Sequence, residues 1–301
     1  MTNSSSGGLF IISPPIKTYK PGSKFGFFLL SDLHLGAASC DEELIKYDLS
    51  EAVKRKDRIL ILGDVMDMIT TRDKKRYDPA SMASWLNGRS DIINAQIERA
   101  VILLTPASKA GLVDMVACGN HETKIEKHNN LDPISILIDC LQSKNQNTIS
   151  YGGYAGFINY SFSSSSRANQ YLKIFYWHGI GGGTSVSGGA AEFEKKSFIE
   201  DVHVMWFAHK HIRLAYETDH LSVDSKGNLK THNRWNIRTG GYLKPYVAQT
   251  QSDLLESGRH SNYAADSFLR SYSPGGVRVV IDFPLDKSDP RICIEYSSKL
   301  F

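Results

Sequence analysis

Three features of the 301-residue sequence predict an α/β fold: short apolar runs recurring along the chain, helix-like segments between the early runs, and a change to strand-and-turn texture past residue 150. The runs are FGFFLL, RILIL, LVDMVAC, YLKIFYW and DVHVMWFA. The segments between the first three are long enough to cross over between parallel strands. A hydrophobic content of 41% is ample for a sizeable core.

The elements follow in order. The first dozen residues read as a tail and PPIKTYKPGSK as an extended lead-in, which sets residues 1–22 apart from one domain over 23–301. A helix is predicted from about Glu42 to Lys56, because DEE opens it and KRK closes it, as the helix dipole favours. A second helical region covers 80–110, interrupted near Asn87 and Gly88, and a third starts at LDPISILIDCLQ, where Asp132 can cap and Pro133 suits the first turn. Further on, GFINYSFSSSS and YLKIFYW form a hairpin around a Ser-rich turn; HNRWNIRTGG, GVRVVIDF and RICIEY are strands. Residues 245–275 read as a long loop with some helix, and GIGGGTSVSGGAAEFEK after His178 as a flexible, glycine-rich loop.

A net charge of +3 is too small to mark a nucleic-acid binder by bulk electrostatics. Four cysteines without a CxxC pair suggest neither a thiolate zinc site nor a disulfide framework. No stretch approaches the roughly 20 apolar residues of a membrane span and the N-terminus lacks a signal pattern, so a cytoplasmic protein is expected.

Strand carboxyl ends in α/β sheets are where functional groups are presented. Here FFLLSDLHLG ends in Asp32 and His34, ILILGDVMDM in Asp64 and Asp67, and LVDMVACGNHET in Asn120, His121 and Glu122. KIFYWHGIGGG ends in His178, and VMWFAHKHI in His209 and His211. A single Asp after a strand is usually a turn former; five such ends carrying metal-type ligands are not explained by turn chemistry. Asp32 and His34, at i and i+2, project to one side of an extended segment and can reach one ion.

In that order, DLH, GDVMD, GNHE, a lone His and AHKH resemble the calcineurin-like metallophosphoesterase superfamily, over about residues 25–215. Ala208 stands where the pattern has Gly. The resemblance implies a β-sandwich of two mixed sheets flanked by helices, a four-layer αββα arrangement, with two divalent metal ions. Asp32, His34 and His211 would hold one ion, Asn120, His178 and His209 the other, and Asp64 would bridge. His121 would be the non-ligating catalytic group, with Asp67 orienting it. Manganese is the first expectation, with iron, zinc or nickel as alternatives for an oxygen and imidazole ligand set.

Two such ions, about 3.5–4 Å apart, clamp a phosphoryl oxygen and activate water, and their charge exceeds that of two carboxylates, which favours an anionic phosphoester. Arginines that hold a phosphate monoester in the protein phosphatases of the family are missing after GDVMD and GNHE. The basic TRDKKRYD, with Arg72, Lys74, Lys75, Arg76 and Tyr77, can follow a phosphate backbone and stack on a base. The expectation is therefore a phosphodiesterase acting on DNA or RNA, with a phosphomonoesterase or a non-catalytic scaffold as alternatives.

Overall fold

The structure, a computed structural model, describes residues 8–74, 76–143, 148–182, 185–244, 246, 273–286 and 290–297. The chain enters through two short strands, β1 (Phe10–Ile12) and β2 (Lys17–Thr18), then β3 (Lys24–Leu30), α1 (Glu42–Arg55) and β4 (Arg58–Leu62). Next come α2 (Ile92–Lys109), β5 (Val113–Ala117), α3 (Asn120–Asn129), α4 (Pro133–Ser143) and β6 (Ser150–Tyr151). The second half supplies β7 (Ala155–Ser163), β8 (Gln170–Trp177), α5 (Val186–Glu194), β9 (Val204–Phe207), β10 (Leu214–Val223), β11 (Leu229–Arg238), β12 (Val277–Asp282) and β13 (Arg291–Tyr296).

Among the described residues these strands make two mixed sheets. One runs β13-β12-β3-β4-β5-β6, with β3 to β6 parallel and β12 antiparallel to β3. The other runs β1-β7-β8-β9-β11-β10, with β2 also on β7; β8, β9 and β11 are parallel. Strand alternation decides which core each side chain joins. Phe27, Leu29, Leu60 and Leu62 meet Tyr160, Ile174, Tyr176 and Trp206 between the sheets. Their neighbours Phe28, Leu30, Ile59 and Ile61 face the other way, onto Ile45, Leu104 and Leu137 of α1, α2 and α4. Outside the second sheet, Phe193 of α5 covers Met205 and Phe207. Each such buried side chain contributes about 1.5–3 kcal/mol, which explains why both faces of the central strands are apolar. The four-layer αββα order is the one expected.

Helix ends follow their capping residues. Asp41 accepts from the Leu44 amide at the start of α1, and Asp132 from Ile134 and Ser135 at the start of α4. Two short 3₁₀ turns, Pro79–Ser81 and Ser84–Leu86, precede α2, so the interruption near Asn87 falls where the sequence put it. Other expectations change. The tail and the lead-in each contribute a short strand, since Phe10 to Ile12 and Lys17 to Thr18 pair with β7. The glycine-rich segment is helical from Val186: Ser185 caps it, and Glu192 pairs with the buried Arg238. The predicted loop 245–275 lies outside the described residues apart from 246 and 273–275. No described helix is long and apolar enough to cross a membrane.

One polar cluster ties the sheets together inside the apolar core. Asp114 of β5 pairs with Arg58 and accepts a 2.6 Å bond from the hydroxyl of Tyr160 on β7, which is fully buried. Removing the carboxylate strands both partners. Asp114→Ala is expected to lower unfolding free energy by about 3–5 kcal/mol, and Tyr160→Phe by only about 1 kcal/mol, in urea titrations. Equal effects would contradict a buried pair.

Candidate metal centre

All five strands carrying the sequence-predicted residues point their carboxyl ends to one place. β3, β4 and β5 are parallel neighbours in one sheet, and β8 and β9 in the other. Residues scattered over 180 positions therefore meet because the two sheets stack with those ends aligned.

The backbone there is bent in an unusual way. Asp32 (φ 54°), His34 (49°), Asp64 (47°), His209 (72°) and His211 (53°) all lie in the left-handed region, five of the eight non-glycine residues there among those described. Such conformations cost about 1–3 kcal/mol each and persist where surroundings over-determine them; Asp and His tolerate them better than most residues. Two glycines make room. A Cβ on Gly119 would lie 2.1 Å from Asp64 Oδ1, and one on Gly63, itself at φ +69°, would lie 2.5 Å from His178 Nδ1. Ala208 is not among the left-handed residues, so its methyl group is accommodated in place of glycine.

The side chains form two linked groups. In the first, His34 Nε2 lies 3.2 Å from His211 Nε2, and His211 Nε2 lies 3.4 Å from Asp32 Oδ1. In the second, His178 Nε2 lies 3.2 Å from Asp64 Oδ2 and 3.3 Å from Asn120 Oδ1, and a ring nitrogen of His209 comes within 4.8 Å of the Asp64 and His178 donors. Asp64 Oδ2 is also 3.9 Å from His34 Nε2, so one oxygen faces both groups. Asp32, Asp64, His34 and His178 are all buried.

Donor and acceptor counting shows what these groups want. His178 Nδ1 is 3.1 Å from the Leu62 carbonyl and must donate to it, which leaves Nε2 as a bare lone pair facing two oxygen acceptors. His34 donates from Nδ1 to Asp67 at 3.1 Å and likewise turns a lone pair inward. His209 donates from Nε2 to the Gly181 carbonyl at 2.8 Å, and its Nδ1 is buried with no partner. Convergent lone pairs and two buried carboxylates, with no Lys or Arg ion-paired to either among the described residues, fit a divalent cation. The oxygen and imidazole donors suit manganese, iron, zinc or nickel without selecting one.

The titration behaviour says the same. Burial alone would raise the Asp64 carboxyl, yet His178 and His121 hold it well below the carboxylate range. Burial would lower His178, but Asp64 and Asp32 push it up to about 9. Asp32, despite burial, is held at about 2 chiefly by His211, which burial lowers and Asp32 raises above the usual imidazole value. The carboxylates thus draw positive charge toward the His178 and His211 rings, the place a cation bound by their lone pairs would fill.

His121 and Asp67 are arranged differently from expectation. The Asp67 carboxylate is nearer His34 (3.1 Å) than His121 Nδ1 (3.6 Å). It is the backbone carbonyl of Asp67 that accepts the His121 Nδ1 proton, and Arg76 Nη1 donates to His121 Nε2 at 3.1 Å. Both ring nitrogens are engaged, which keeps His121 apart from the lone-pair clusters although it lies close to His34 and Asp64.

Glu122, noted at its strand end but given no role there, is a supporting residue, and others carry no signal in the sequence. Glu122 accepts from the amides of Asp64 (3.1 Å), Met66 (3.0 Å) and Gly119 (2.9 Å), pinning the end of β4 to the start of α3. Burial, with Asp64 nearby, pushes its carboxyl up to about 7. Behind Asp32 runs a chain of hydroxyls whose direction is fixed: Trp206 Nε1 can only donate, so Thr239 accepts from it, donates to Ser31, and Ser31 donates to Asp32 Oδ2. Tyr242 donates its amide to the Asp32 carbonyl, and Gly241 packs under the His211 ring. Glu122 stands beside the recognised GNH; Ser31, Thr239 and Tyr242 carry no local signal.

No family model matches the sequence, and no curated protein matches it. Among solved structures, similarity is found to a conserved protein of Streptococcus pneumoniae described as a predicted phosphoesterase (10% identity, 91% of each chain, TM-score 0.33). It is also found to wild-type Vps29 of Entamoeba histolytica complexed with zinc (9% identity, 91% of this chain and 100% of that one, TM-score 0.33). A third is the calcineurin-like phosphoesterase YfkN of Bacillus subtilis (10% identity, 93% and 92%, TM-score 0.32). At these values, function is read from this chain's own side chains.

Adding Mn to metal-free protein should raise its melting temperature, since a ligand at about 100 times its Kd adds about 2.7 kcal/mol. Asp64→Asn should abolish the shift and Glu122→Gln should reduce it. A melting temperature unmoved by Mn, Fe, Zn and Ni would rule out the centre.

Proposed function

We propose that this chain is a metal-dependent phosphoesterase of the calcineurin-like superfamily, holding two divalent ions and hydrolysing phosphodiester bonds in DNA or RNA. The observation that carries the metal assignment is the single oxygen, Asp64 Oδ2, placed between two groups of inward lone pairs. Asp32, His34 and His211 would hold one ion, Asn120, His178 and His209 the other, and Asp64 would be shared. When bound, such ions supply Lewis acidity and an activated water for in-line attack at phosphorus.

The chain's own residues supply the rest. With Nδ1–H committed to the Asp67 carbonyl, Nε2 of His121, once Arg76 turns from it to a phosphate oxygen, is the atom that can take up a solvent proton and pass it to the leaving oxygen. Arg76 beside it offers a guanidinium fork to phosphate oxygens. Glu122, through three amides, and the Ser31–Thr239 hydroxyls, through Asp32, hold the ligands in place. The diester reading is supported by Arg76 beside His121, with Arg72 and Lys74 exposed in the same basic stretch.

Arg76 also favours a second reading. A guanidinium at this place can hold a terminal phosphate, the role whose arginines the sequence lacks at their usual positions, so a phosphomonoesterase is the alternative.

With Mn, turnover of bis(p-nitrophenyl) phosphate is expected to exceed that of p-nitrophenyl phosphate. Asp64→Asn should remove it, and His121→Gln should lower kcat by about 10²–10⁴-fold. Preference for the mono-substituted substrate would establish the alternative; full activity in Asp64→Asn would refute both.

A further inference from the structure

One side chain, Arg76, separates His121 from a cavity of about 270 Å³ whose walls come from Met68 to Arg76 on one side and α3 on the other. Its walls include Thr70, Arg72, Asp73, Arg76, Lys124 and His128. Arg76 belongs to both places: it lines this cavity and donates to His121. Against Arg72, Arg76 and Lys124 stands one acid, Asp73, which holds Arg76 at 2.7 Å and lies 3.7 Å from Lys124. Arg72 has no ion pair among the described residues and donates only a long 3.4 Å bond to the His128 carbonyl. The cavity thus carries an excess of two positive charges, open to solvent and one side chain from the catalytic histidine.

We infer that this cavity is an anion subsite that receives the phosphate adjoining the scissile one, making the substrate a strand with at least two phosphates. The inference rests on the phosphodiester reading above and deepens it. Size and lining select the ligand group. At about 270 Å³ the cavity lies just under the range of about 300–1,000 Å³ typical of drug-ligand pockets, and it has room for a phosphate with its hydration water. No Phe, Tyr or Trp lines it, so its lining favours charge over base stacking and recognition that is indifferent to sequence. Tyr77, the residue expected to stack, is not on its wall. Lys124 and His128, one turn apart on α3, add to the loop a fixed surface that a solvated basic loop would not possess.

The test is binding of thymidine dinucleotides by calorimetry to the metal-free full chain in EDTA, where nothing is hydrolysed. TpT is compared with its 5′-phosphorylated and 3′-phosphorylated forms. One phosphorylated form should bind at least tenfold more tightly than TpT, with a log K versus log salt slope steeper by about 0.7, the increment for one contact on a single strand. In the Arg72→Ala/Lys124→Ala double variant, both changes on exposed side chains, the preference should fall toward one. Equal binding of all three dinucleotides, or a preference surviving in the double variant, overturns the subsite. Failure of the phosphodiester reading shows separately, as absent Mn-dependent hydrolysis of bis(p-nitrophenyl) phosphate with the binding preference intact.

Discussion

Two carboxylates, Asp32 and Asp64, are buried at the meeting of two sheets with no Lys or Arg paired to them among the described residues. Burying an ionised carboxylate is costly unless a cation compensates it, and this cost organises everything around it. It explains why imidazoles and not apolar side chains surround the pair, and why those imidazoles give their outward protons to carbonyls or to Asp67. The sheets supply the geometry: parallel strands in each place several carboxyl ends side by side, and stacking through Phe27, Leu29, Tyr160 and Trp206 brings the two sets together.

Much of this was readable in the sequence because the strands are continuous apolar runs followed at once by ligand-type residues. The carboxyl halves of β3, β4 and β5 carry apolar side chains on both faces, one for the inter-sheet core and one for the helices, so their ends stand out, and Asp114 comes early in β5. Helices α1 and α4 were visible through their caps. Helix α3 was not: NHETKIEKHN buries only His121, Glu122 and Ile125, too few to show a period. Helix α5 was hidden by glycines, its register set by Ser185 and by a pairing with Arg238 that lies 46 residues away.

The supporting contacts were illegible for one reason. Thr239 meets Ser31 across 208 positions, Tyr242 donates to the carbonyl of Asp32, and Arg76 meets His121 across 45. None of these has a spacing that chemistry imposes along the chain; each depends on where loops return. Asp67 shows the same limit on a smaller scale. Its type was recognised, but its side chain serves His34 while its carbonyl serves His121, a division that backbone direction decides and residue identity does not.

Strain and charge are placed together, and this has a thermodynamic consequence. Five left-handed residues and two buried acids occupy the same strand ends, so the folded chain without a compensating cation carries both penalties there. The neighbouring cores are built largely of buried apolar side chains, and the contacts that hold the strained turns, such as Glu122 to three amides, do not depend on an ion. A cation would therefore relieve charge without having to build the backbone. Such a site is organised before its ligand arrives, and the free energy of binding goes into affinity more than into folding the cradle.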